Sequence, residues 1–128
     1  MSFNPEAVRA FEHAGWQKAA GQCQTTFAVA TREFAVALLD AAEVGPGAAM
    51  RDLCCGPGLL ALAAMHRGAS ATGLDFSPAM LALAAANAPE CCFVEGDAEA
   101  TGLATASFDA VVSSFGIHHV PRPERAIA

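Results

Sequence analysis

The chain has 128 residues, 54% of them hydrophobic and 16% charged, with a net charge of −6 and a pI of about 5.0. That length suits one folded domain, and that balance excludes a disordered chain. With an acidic sum and no Lys/Arg-rich run, a nucleic-acid partner is not expected, and recognition through a small folded site is.

Five cysteines occur, Cys23, Cys54, Cys55, Cys91 and Cys92, and four of them stand in adjacent pairs. Neither a secreted disulfide framework nor the C-x-x-C spacing of a zinc site has that pattern, so reduced thiols and no metal are expected. The first nine residues lack the basic and apolar regions of a signal peptide. No apolar run reaches the roughly 18 residues of a membrane span. A cytoplasmic location is the expectation.

Taken in chain order, residues 5–13 predict a short helix, with Asn4 as N-cap and Pro5 at its first position. A longer helix is expected over 25–42, where Phe27, Ala30, Phe34, Val36, Leu38 and Leu39 form an approximate apolar stripe. Gly45-Pro46-Gly47 ends it. A strand over 49–53 then feeds a glycine-bearing turn, 54–58, and a helix over 59–67 closed by Gly68. A second strand covers 71–74 and places Asp75 at its carboxyl end. Ser77-Pro78 opens the next helix, which runs to about 88. A third strand covers 91–95 and a fourth 108–113, and a last helix begins at Pro121. Strands alternating with helices in this way predict βαβ units around a parallel sheet, with right-handed crossovers and helices on both faces. Such sheets bind ligands at the carboxyl ends of their strands.

The chemistry-bearing residues gather there. Residues 51–62, RDLCCGPGLLAL, read strand, glycine turn, helix. Gly56 and Gly58 allow a ligand to approach the backbone, and the helix start offers free N–H groups. The string also satisfies G-x-G-x-x-G/A, a pattern that an ordinary strand–turn–helix connection can match. Asp75 follows Gly56 by 19 residues at the end of the next strand, where a carboxylate can accept from both ribose hydroxyls of an adenosine. Phe76 beside it could cover an adenine face or fill the core. Asp97, in Gly96-Asp97-Ala98-Glu99 after the third strand, is placed to accept from an adenine amino group.

Four stretches, CCGPG (54–58), TGLDFSPAML (72–81), FVEGDAEATGL (93–103) and SFDAVVSSFGIHHVPRPERAI (107–127), carry a family resemblance. In order and spacing the sequence resembles class I S-adenosylmethionine (SAM)-dependent methyltransferases of the small-molecule type related to ubiquinone and menaquinone methylases. The resemblance implies an α/β, Rossmann-like core with strand order 3-2-1-4 over residues 44–128. A helical lid over residues 1–43 precedes it. It implies that Asp52, Cys54, Cys55, Gly56 and Gly58 hold the methionine part of SAM, Asp75 the ribose, Phe76 the adenine face, and Asp97 and Ala98 the adenine edge. Ser114 would lie beside the methionine part, and Trp16 would cover the site from the lid. The implied reaction is methyl transfer to a small-molecule acceptor. His118 and His119 are the nearby candidates for a base, although such a pair after this strand also fits a structural role.

The sequence departs from the family at three points. Cys54 stands where D-x-G-x-G-x-G has its first glycine, Arg51 where a strand residue is apolar, and Cys23 where a lid tyrosine is common. The family fold also has seven strands and four are read here, so the expectation includes a core lacking its C-terminal strands, weak or absent turnover, and self-association through an exposed fourth strand. Two other functions share parts of the pattern. A non-catalytic SAM-fold fragment would keep the binding motifs without turnover. An NAD-dependent oxidoreductase would use the glycine turn and Asp75 but has no use for Gly96-Asp97-Ala98.

Overall fold

The computed structural model describes residues 2–128. Helix α1 spans Pro5–Cys23 and α2 spans Phe27–Ala41. Then come β1 (Ala49–Leu53), α3 (Leu59–His66), β2 (Ser70–Asp75), α4 (Pro78–Asn87), β3 (Cys92–Glu95), β4 (Ala110–Val112), one 3-10 turn (Ile117–His119) and α5 (Pro123–Ile127). The sheet is parallel with order β3-β2-β1-β4, as the resemblance implies.

Two elements differ from expectation. The first helix does not stop near residue 13 but continues to Cys23. Asn4 caps it by accepting from the N–H groups of Glu6 and Ala7, both at 3.1 Å. Alanines then carry the helix through Gly15 and Gly21, where an added Cβ would meet nothing within 4 Å outside the helix itself. The fourth strand shortens from six residues to three, because only Ala110–Val112 find partners on β1.

Register decides which residues meet. Met50 and Asp52 share a face with Ala71, Gly73, Phe93 and Val112. On that face α2 and α3 bring Ala35, Leu39, Leu60, Ala61 and Ala64, forming the main core. Deleting a fully buried side chain such as Leu60 would cost about 2–5 kcal/mol. The opposite face is covered differently from the expected helical layer. A small cluster, Leu53, Leu74 and Ala98, is covered by Val120 and by Ala126 of α5. Below it lie Cys92, Thr72, Arg51 and Val111 in one row, and Cys92 and Val111 are exposed. Arg51 is buried there with its Nε unpartnered, its guanidinium 5.6 Å from the Phe108 ring centroid. Burial lowers its pKa.

Candidate functional site

One cavity opens at the carboxyl ends of β1, β2 and β3. The connection after β1 contributes Asp52, Cys54, Cys55 and Gly56, that after β2 contributes Asp75 and Phe76, and that after β3 contributes Asp97 and Ala98. Ser114 and His119 line it from the segment after β4, and Trp16 from α1. Two residues singled out in the sequence lie elsewhere. His118 is exposed and lies tilted against His119, with ring centroids 4.1 Å apart and planes at 41°. Gly58 is used for packing. A Cβ on it would come within 2.9 Å of both Ala84 and Phe93, and its φ of +78° favours glycine. Its place in the turn suggested a ligand contact, yet the helix-to-helix approach claims it.

The turn is held by Asp75, whose Oδ2 accepts the Gly56 N–H at 2.8 Å and whose Oδ1 accepts that of Ser77 at 2.9 Å. Each oxygen keeps a lone pair for a further donor. Burial raises the Asp75 pKa, and these hydrogen bonds oppose the rise. Ser77 caps α4 as expected, accepting from Met80 N–H at 3.2 Å. Its hydroxyl also donates to Gln17 Oε1 at 2.7 Å, tying α1 to the site.

Asp52 is fully buried, and its Oδ1 has no hydrogen-bond partner. Burial, reinforced by the charge of Asp75, pushes its pKa up to about 8. An unpartnered buried carboxyl facing a cavity is costly unless a ligand supplies a donor or a positive charge. The thiols offer no nucleophile near neutrality. Burial pushes the Cys54 pKa up to about 12 and that of Cys55 upward as well. Cys54 carries strain, with φ of +59° for a residue with a Cβ. A Cβ at Gly116 would run into that of Cys54, so the two positions accommodate each other.

Asp97 is less free than its place after β3 suggests. Its Oδ1 accepts the Glu99 N–H at 2.9 Å. Its Oδ2 lies 2.8 Å from Arg9 Nε, an ion contact without hydrogen-bond alignment, since that Nε is buried with no hydrogen-bond partner. Arg9 also reaches Glu6 at 2.6 Å and Glu99 at 3.0 Å, and Arg122 reaches Glu99 at 2.7 Å. Burial would raise the Glu99 carboxyl, but the Arg122 hydrogen bonds and the two cations outweigh it and hold its pKa down.

Arg9, Phe27 and Phe115 line the cavity without having been read as site residues in the sequence. Phe115 has a φ of +57°, a strained conformation of the kind that gathers at functional sites. No local pattern marks these residues as part of a site, because they reach the cavity from α1, α2 and the segment after β4. Among the described residues no group of three His, Cys, Asp or Glu side chains could hold a metal, and no helix is long and apolar enough to cross a membrane.

Residues 51–128 match the methyltransferase domain family. The chain is 36% identical over 98 residues to a demethylmenaquinone methyltransferase of Renibacterium salmoninarum, covering 77% of this chain and 41% of that one. It spans about two fifths of the length of the curated relatives it matches. Its structure resembles that of an S-adenosylmethionine-dependent methyltransferase from Mesorhizobium loti, with a TM-score of 0.60 and 37% identity, over 66% of this chain and 39% of that one. A SAM-dependent methyltransferase from Thiobacillus denitrificans in complex with S-adenosyl-L-homocysteine shares the fold, with a TM-score of 0.56 and 23% identity, over 68% of this chain and 38% of that one. The chain belongs to the methyltransferase domain family, with the parallel β3-β2-β1-β4 sheet of a class I SAM-dependent methyltransferase.

Proposed function

We propose that the chain binds SAM in this cavity and belongs to an enzyme that transfers its methyl group to a small-molecule acceptor. The observation that carries this reading is Asp52, a buried carboxyl with one oxygen unpartnered at the end of β1. The amino group of a methionine moiety would supply both a donor and a positive charge there. Asp75 has acceptor sites left for the ribose hydroxyls, and Phe76 and Ala98 would flank the adenine. Asp97 would take the adenine amino group on an oxygen it already shares with Glu99 or Arg9.

A dinucleotide suits the cavity less well. Its pyrophosphate would face Asp52 and Asp75, and Gly56 N–H is committed to Asp75. Among the described residues the only permanent cation lining the cavity is Arg9, which is paired with Glu6, Asp97 and Glu99. The name of the Renibacterium relative supports a small-molecule acceptor.

When bound, SAM supplies a methyl group already activated by its sulfonium. The protein's part is to align the acceptor with that methyl and exclude water. Asp52 would anchor the methionine part and Asp75 the ribose, and Trp16 and Phe27, packed edge to face at 5.5 Å, line the cavity from α1 and α2. The test is calorimetry with S-adenosylhomocysteine (SAH) and, separately, NAD. SAH should bind and NAD should not. Asp75→Ala should weaken SAH by about 1.5–3 kcal/mol, the range for hydrogen bonds to a charged group. Unchanged affinity in that variant would remove Asp75 from the site, and preferential NAD binding would overturn the reading.

A further inference from the structure

Beside the cavity, Glu12 of α1 stands against His119 of the 3-10 turn, with Glu12 Oε2 3.0 Å from His119 Nδ1, an ion-pair contact without hydrogen-bond alignment. The same carboxylate oxygen accepts the Trp16 indole N–H at 3.1 Å. Trp16 in turn packs edge to face on the His119 ring, with centroids 5.0 Å apart and planes at 82°. The His119 backbone is held as well, its N–H donating to Gly116 O at 3.0 Å. Both side chains of the pair are about three-quarters buried, with relative exposures of 26% for His119 and 22% for Glu12. The imidazole is therefore fixed in position by contacts from two separate elements, and it lines the cavity.

We propose that His119 is the proton acceptor for an acceptor group that must lose a proton, such as a hydroxyl, and that Glu12 is its positioning residue. This rests on the reading of the cavity as a SAM site. A carboxylate at Nδ1 favours the tautomer with the proton on that nitrogen. Nε2, which among the described residues has no hydrogen-bond partner, is then left with its lone pair. Glu12 also stabilises the imidazolium that forms, the role a carboxylate plays behind a catalytic histidine. In the step itself, His119 Nε2 takes the proton of the acceptor's X–H as X bonds to the methyl carbon. The electron pair of the broken carbon–sulfur bond stays on sulfur, leaving a neutral thioether, and the positive charge passes from the sulfonium to the imidazolium. The aromatic side chains that line the cavity from α1, α2 and the segment after β4, Trp16, Phe27 and Phe115, bring no second base.

A merely structural Glu12–His119 contact would hold α1 against the turn after β4 and take no part in recognition. The experiment separates the two roles by nitrogen NMR of the histidine-labelled chain saturated with SAH, above the titration range of histidine. His119 is assigned from His119→Gln. The parent should show the Nδ1–H tautomer. Glu12→Gln, whose amide can donate to Nδ1, should shift His119 to the Nε2–H tautomer. Phenol, used as the probe for a hydroxyl acceptor, should move the Nε2 resonance of the parent saturably, and anisole, which lacks the proton, should not. An Nε2–H tautomer in the parent, or an Nε2 resonance that phenol leaves unmoved, would overturn the proposal while SAH binding stands. Failure of SAH to bind in calorimetry would instead defeat the reading of the cavity, and this proposal with it.

Discussion

Asp52 links the folded state to the ligand through a proton, and that link can be measured. In the free protein its pKa lies at about 8, so at pH 7 the group is mostly protonated. An ammonium group placed against Oδ1 favours the carboxylate and brings the pKa back toward the ordinary range near 4. Binding SAH at pH 7 should then release well over half a proton from Asp52. The amino group of the ligand, already mostly protonated at that pH, takes up only about a tenth. Calorimetric titrations at pH 7 in buffers of different ionisation enthalpy read the number directly as a slope. Asp52→Asn should abolish the release and weaken binding by about 1.5–3 kcal/mol, or roughly 10- to 150-fold. The same group shapes the stability of the free chain. Its folded pKa lies above the unfolded value of about 3.9, so its contribution is intact below pH 4 and is lost as pH rises toward 8. Asp52→Asn should therefore stabilise the free protein at pH 8 relative to the parent and change little at pH 4. A heat of binding independent of the buffer, or equal stability gains at both pH values, would refute the argument.

Three further outcomes follow from the geometry. Cys54→Gly should release the strain of a left-handed residue, about 1–2 kcal/mol, against about 0.5–1 kcal/mol of added chain entropy. Chemical denaturation should show a net gain, and SAH should bind more tightly, whereas looser binding would mean that the Cys54 side chain contributes contacts to the ligand. Arg51→Leu should raise the melting temperature, by the equivalent of about 1 kcal/mol, since it replaces a buried, unpartnered cation at the loss of its contact with Phe108; a fall would show that the charge is satisfied. For β4, whose far edge is unpaired among the described residues, we propose that the chain self-associates there, and Val111→Lys should reduce it. Sedimentation of the parent as a monomer at the same concentration would refute that.

Much of this protein was legible in its sequence because the signals are local. Ser77-Pro78 specifies a helix start within three residues, and the cap forms as read. Alternating strands and helices imply a parallel sheet because such strands need long crossovers, and the resemblance supplied the order that the structure has. Asp52, Asp75 and Asp97 could be placed at one cavity because parallel strands bring all their carboxyl ends to one edge. Tertiary structure alone decided what approaches that edge from elsewhere. Gly58 serves the contact with Ala84 and Phe93 rather than the cavity, a matter of how closely α3 approaches α4 and β3. Arg9 reaches Asp97 across 88 residues of chain, and Glu12 reaches His119 across 107. No periodicity or turn signal encodes such pairs, because they depend on where α1 lies against the sheet, and that is set by the packing of whole elements.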